Sequence, residues 1–328
     1  VKRKAWNMSS VMGVAVLATG LVASTTGVAV ADTAEPAKDL DQISAVAPFV
    51  TDTMADVTAS PSSSAIVDEE VAGVQVSVAS KAEAGVSLSY GDRNVSVSLP
   101  ETSGRTPVAK ANESGAVFEN KDGSSTVPVV QEDGSVVIAT VISDAGAPSE
   151  YSYEVQDLGD GRLSLDENGG VNIYSADGSW NGGFAAPWAK DANGRDIPTK
   201  YEIVGNSVVQ TVEHSGEGYA YPIVADPWLG ISLISSVGWG TYNGAWMGKV
   251  VPTSYGRVAP IASRLAAWGE TLEKPNARAR LDFANTRDQF YCHYDGVRII
   301  EPNKPSWNLE RSRPNVGYAK TVAASCNP

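Results

Sequence analysis

From Ile66 to Asp226 the chain alternates between apolar and polar positions with a period of two. Val74, Val76 and Val78 are separated by Gln and Ser, and the same alternation runs through Val86, Leu88 and Tyr90 and through Val95, Val97 and Leu99. Successive side chains of an extended strand point to opposite faces, so each run predicts a strand with one buried face. Further strands are predicted at residues 136–142, 151–155, 171–174, 200–204 and 208–213. Between them stand Asp122-Gly123, Asp133-Gly134, Asp160-Gly161, Asp177-Gly178 and Asn193-Gly194, whose residues tolerate the positive φ of tight turns. The pattern predicts an all-β domain, a sandwich or a stack of hairpins. Its turns are unevenly spaced, which gives no support to a propeller or a solenoid. Pro222 and Pro227 interrupt both strand pairing and helix growth and mark its end.

Beyond Trp228 the pattern changes. Trp239, Tyr242 and Trp246 flank Asn243-Gly244, a strong hairpin signal. Residues 227–248 carry no charge and place Gly240, Gly244 and Gly248 at a spacing that would let two membrane helices approach closely. Each glycine would cost a helix about 1 kcal/mol relative to alanine, so the hairpin is preferred to the membrane helix. Pro260 opens a predicted helix with Ile261, Leu265, Trp268 and Leu272 on one face. Thr286 and Gln289 have the spacing of a capping box for a second short helix carrying Phe290 and Cys292. A loop-rich end follows, with one more strand or helix near 318–324. The expected fold is therefore multidomain: an all-β N-terminal domain at 66–227, then a small α+β C-terminal domain at 228–328.

Residues 32–65 are acidic and small and end in Ser60-Pro61-Ser62-Ser63-Ser64, the composition of a flexible linker. Within them Leu40, Ile43, Ala47, Val50 and Met54 recur at helical spacing, in a helix that would be marginal alone. Residues 1–31 predict a cleavable secretory signal peptide: Lys2-Arg3-Lys4 precede an uncharged run from Val11, and Ala29-Val30-Ala31 supplies small residues before a cut between Ala31 and Asp32. The Ser, Thr and Gly content of the run and the acidic Asp32 argue against an uncleaved anchor. Valine at position 1 is consistent with an alternative bacterial start codon. The protein is expected outside the cell, secreted or associated with the wall.

Charge divides the chain. Residues 229–328 hold twelve Lys and Arg against seven Asp and Glu, whereas residues 32–228 hold ten against thirty-one. Cys292 and Cys326 both lie in the basic part, and export to an oxidising compartment predicts one disulfide between them. The chain-entropy model assigns such a loop about 3.5 to 4 kcal/mol.

No motif identifies a reaction. His293 is the catalytic candidate, with Arg287 and Asp288 nearest and Arg298 and Glu310 able in principle to join it in acid–base or phosphodiester chemistry. His214 lies in the other domain, and with both cysteines oxidised no zinc site of usual ligand count forms, so neither metal nor cofactor is expected. Asp166 to Gly170 and Asp191 to Asp196 lack the register of a calcium-binding EF-hand and are explained as turns. Trp239, Trp246 and Trp307 with Arg311 and Arg313 are candidates for binding an anionic polymer, charge supplying attraction and rings supplying stacking. The bland alternative is that the rings fill a small core. The acidic domain is an equally plausible intramolecular partner, and nucleic acid is not predicted.

Arg287-Asp288-Gln289-Phe290-Tyr291-Cys292-His293, then Lys304-Pro305-Ser306-Trp307-Asn308-Leu309-Glu310, then Arg313-Pro314-Asn315-Val316-Gly317-Tyr318 and Cys326-Asn327-Pro328 resemble a family of exported actinobacterial proteins, domain of unknown function 2599. The resemblance spans about the last 90 residues, from near Trp239. It implies an exported, disulfide-closed module and brings no activity or catalytic residue with it. The β-rich part, through Trp188 to Gly194 and Tyr221 to Pro227, resembles regions upstream of varied C-terminal modules in actinobacterial secreted proteins, which implies a presentation or pro-domain.

These features favour a non-enzymatic protein in which the acidic domain presents a basic, aromatic module to the cell envelope, either wall polymer or membrane surface. The alternatives are a secreted antibacterial effector masked by its acidic domain, and a metal-independent nuclease or hydrolase using His293.

Overall fold

Every described strand pairing is antiparallel, and the alternating runs find one another in register: Val76 faces Leu88, and Leu88 faces Val95. The computed structural model describes residues 35–59, 64–100, 108–112, 115–216 and 218–328; the expected signal peptide and the expected cut between Ala31 and Asp32 lie outside them. Among the described residues the strands form three sheets, of seven, ten and three strands. The first sheet runs Ala65–Val71, Val74–Ala79, Val86–Tyr90, Arg93–Val97, Glu150–Gln156, Ser207–Val212, Thr199–Val204 in spatial order. The second is built round Val136–Ile142, which Ser124–Val130 flanks on one side and Ile223–Ala225 and Trp228–Gly230 on the other. Val76, Leu88, Val95 and Tyr153 from the first sheet share one apolar core with Phe118, Ile138, Phe184 and Leu229 from the second. Among the described residues the N-terminal part is thus a β-sandwich with no closed barrel.

Ser124–Val130 and Val136–Ile142 are buried at every position, unlike the alternating strands of the first sheet. Their second face is covered by the helix Glu35–Val46 and the turn after it, whose Ile43, Ala47 and Val50 pack on Val127, Val129, Val137 and Ala139. Part of the segment whose composition suggests a linker is therefore folded. A helix of this length is marginal in water, and here the sheet supplies the burial it lacks alone.

Trp228–Gly230 is still a strand of the second sheet, so the chain leaves the sandwich only at residues 231–233. It then forms the hairpin Ile234–Tyr242 and Ala245–Pro252, closed by Asn243 at φ 48° and Gly244 at φ 75°, with Trp307–Glu310 added at the second strand's free edge. The uncharged glycine-spaced segment is this hairpin, and no described helix is long and apolar enough to cross a membrane. The helices Arg264–Glu273 and Ala284–Cys292 pack beside it around Trp268, Phe290, Tyr294 and Trp307. Two local expectations fail. Leu265 is 71% exposed, because the buried face of its helix runs instead through Ala267, Trp268, Thr271 and Leu272. Thr286 and Gln289 do not cap: Thr286 donates to the Leu281 and Phe283 carbonyls, and Gln289 exchanges hydrogen bonds with the Glu310 backbone, tying helix to strand.

The two parts lie within one unit, Thr33–Pro328. Glu270, 1% exposed, takes the Leu233 and Ile234 N–H groups at 2.9 Å each and pairs with Arg93 from the sandwich. Asp133 accepts from Tyr255 N at 2.7 Å and Asp166 from Ile261 N at 2.9 Å, so sandwich carboxylates meet backbone amides at the starts of helical turns. Tyr255 is fully buried against Gly230, where an added Cβ would lie 2.2 Å from the ring.

Candidate functional site

Two features of the C-terminal part present chemistry at its surface. The first is a cleft of about 620 Å³ beside the disulfide. Cys292 and Cys326 are bonded, which draws the last helix, Tyr318–Ala323, against the helix that ends at Cys292. That helix continues through a wider, π-helical turn at His293–Val297 into Arg298–Ile300. Such turns push one residue out of helical register and are frequent at functional sites. Here the turn brings His293 and Asp295 to the cleft, opposite Tyr318 and Val322.

His293 is 5% exposed and stacks parallel to Trp307 with an offset, ring centroids 6.4 Å apart and planes within 4°. Burial, reinforced by the Lys304 charge, lowers its pKa to about 4, so the ring is neutral at neutral pH. Asp295 binds Arg264 and accepts from the Tyr318 hydroxyl through one oxygen, Oδ2. Partial burial, with the hydrogen bond to Asp295, raises the Tyr318 pKa to about 12. Lys304 and Glu301 pair at 3.1 Å on the rim.

The sequence candidates distribute differently from expectation. Arg287 is exposed and Asp288 half-buried, and neither lines the cleft with His293. Residues five and six places earlier on a helix point roughly 140° and 240° away, which separates them. Arg298 is buried and donates to the Gly256 and Ala259 carbonyls, while Glu310 pairs with Arg313. The groups that do surround His293, namely Asp295, Lys304 and Tyr318, carried no sequence signal beyond lying near the cysteines. Asp191 and Asp166 turn their carboxylates to backbone amides, Asp191 to those of Asn193, Arg195 and Ala220.

The second feature is the hairpin tip. Trp239 and Trp246 meet edge to face at 6.2 Å, and the Arg280 guanidinium lies 4.7 Å and 3.8 Å from their ring centres. Arg311 stacks on Phe283 at 3.2 Å and Arg313 on Tyr242 at 4.9 Å. Trp246 is 43% exposed. Among the described residues Arg280 and Arg311 form no ion pair. Of the proposed binding residues, Trp239, Trp246, Arg311 and Arg313 therefore gather here. Trp307 does not: it is fully buried against Phe290 and His293, because its strand, added to the hairpin, faces the helices.

Residues 234–328 match the family described as protein of unknown function (DUF2599). Uncharacterised proteins of Mycobacterium tuberculosis and Mycobacterium bovis are each 33% identical to this chain over 131 residues, a stretch covering 38% of this chain and 86% of the relative. The chain belongs to this family. An uncharacterised Mycobacterium leprae protein is 36% identical over 69 residues, 21% of this chain and 53% of its own length. No solved structure matches. The DUF2599 segment begins at Ile234, the first residue of the hairpin, and so contains both the cleft and the aromatic tip.

Proposed function

We propose that this DUF2599 protein is exported and acts as a non-enzymatic binding protein of the cell envelope, holding a phosphate- or carboxylate-bearing wall polymer at the hairpin tip. The observation that carries the reading is Arg280 stacked on Trp239 and Trp246 without a carboxylate partner among the described residues. A guanidinium held over an aromatic face keeps its N–H edge free for an anionic oxygen, and the ring orders it at low entropic cost. Arg311 repeats the arrangement nearby on Phe283, so a second anionic group meets a second cation, whereas Arg313, stacked on Tyr242, is already paired with Glu310. Among the described residues the hydrogen bonds and ion pair between the two parts run through Glu270, Tyr255, Ile261, Ala262 and Lys274, which leaves the tip to an outside partner.

Cosedimentation of the full chain with purified wall tests this. From about 50 to about 500 mM salt the screening length shrinks about threefold, and binding is expected to fall steeply. Trp246→Ala and Arg280→Ala should each weaken it by about tenfold, the loss of one partly desolvated cation–π contact. Binding that ignores salt and survives both substitutions would overturn the assignment.

A further inference from the structure

Two residues that line the cleft beside the disulfide each carry a buried polar atom with no hydrogen-bond partner among the described residues, His293 Nδ1 and Asp295 Oδ1. Both belong to side chains held in place by other contacts: the imidazole by Trp307, the carboxylate by Arg264 and Tyr318 at its other oxygen. A buried polar atom without a partner is costly, and a ligand that supplies the missing hydrogen bond removes that cost.

The surroundings select the ligand's chemistry. Arg264 already balances Asp295, and Lys304 stands at the rim, so an incoming ammonium would meet two cations. Asp295 and Glu301 repel an anion in the same way. A hydroxyl suits both orphaned atoms. It donates to the carboxylate oxygen, and it satisfies Nδ1 whichever tautomer is present, since it both donates and accepts. The walls are mostly apolar or aromatic, formed by Val297, Ile300, Val322 and Tyr318. A neutral molecule with hydroxyls along an edge and C–H groups on a face is a sugar, and the cleft volume of about 620 Å³ lies within the usual range for small-molecule sites.

We propose that this cleft binds a neutral sugar unit, either free or as part of a glycan chain, through His293 and Asp295. The site is separate from the hairpin tip, and the two can succeed or fail independently. Trp307 stacks parallel to His293 with an offset, ring centroids 6.4 Å apart, so occupancy should change tryptophan fluorescence as well as release heat.

The experiment titrates the full chain with maltose, cellobiose and chitobiose, with longer oligomers of the same sugars, and with butylammonium and inorganic phosphate. At least one sugar should bind with a dissociation constant of about a millimolar or tighter. Saturation by a disaccharide assigns a free sugar unit; saturation by longer oligomers alone assigns a glycan chain. Val322→Trp fills the cleft from a position already 46% exposed, so it should fold normally and weaken sugar binding at least about tenfold, whereas Trp246→Ala at the hairpin should change it less than about twofold. His293→Phe, which keeps a flat ring on Trp307 and removes Nδ1, should weaken it as Val322→Trp does. No sugar binding by the folded chain, unchanged binding by Val322→Trp, or saturation by butylammonium or phosphate in place of sugar would each overturn the proposal.

Discussion

Replacing His293 by phenylalanine should make the stability of this protein less sensitive to acid. In the unfolded chain the imidazole takes up its proton near pH 6.5, while in the folded chain burial delays that to about 4. Between those values the unfolded state binds more protons, so folding stability falls as the pH falls, and the contribution is fully present only above about 6.5. The interval of about 2.5 pH units corresponds to about 3 kcal/mol, at about 1.4 kcal/mol per unit. Lys304 acts with burial, whereas the Asn308 backbone and Glu301 oppose it. Buried carboxyls such as Asp226 and Glu270, whose pKa values burial raises, act with the opposite sign and gain stability on acidification. They are present in both proteins and cancel in the difference. The assay is urea unfolding of wild type and His293→Phe at steps from pH 7.5 to 4. The variant should start with a constant offset from its altered packing and then gain about 3 kcal/mol relative to wild type as the pH drops. Parallel stability curves would show that His293 is solvated or ion-paired in the folded state and would refute the reasoning.

Glu270→Ala should destabilise the protein by about 3 kcal/mol, at the lower end for breaking a buried ion pair, because the Arg93 side chain retains 20% exposure; urea midpoints measure it, and a loss under about 1 kcal/mol would mean that the carboxylate does not hold the two parts together. Replacing both Cys292 and Cys326 by serine should cost about 4 kcal/mol from the loop of sequence separation 34, and the difference should vanish when wild type is melted under reducing conditions. Gly230→Ala pushes a methyl group into the fully buried Tyr255 ring and should cost about 3 kcal/mol by overpacking, whereas Gly178→Ala, whose Cβ meets open space, should show only the backbone strain of a positive φ.

The strand faces were legible because alternation is a local property. Val74, Val76, Val78, Val86, Leu88, Val95 and Val97 are all buried, as their period of two requires. Asn243-Gly244 was equally local, since only residues tolerant of positive φ close a two-residue hairpin. The run of residues 136–142, apolar except for Thr140, carried a second message, burial on both faces, but not what covers it. The cover is Glu35–Val46, whose weak amphipathic pattern becomes a stable helix only against that sheet.

By itself the sequence determined the β-rich then α+β order, the hairpin, the pairing of the cysteines and the family resemblance, because each depends on residue type and short spacing. The tertiary structure alone decided which aromatics are surface and which are core. Trp246 and Trp307 are indistinguishable by type, yet one is 43% exposed and the other fully buried, because the helices cover only one face of the three-stranded sheet. It also decided the company of His293. Arg287 and Asp288 are closest along the chain but turn away, whereas the disulfide and the π-helical turn bring Tyr318 and Asp295 to the same cleft. Chemistry assembled by long-range closure leaves little trace in local spacing.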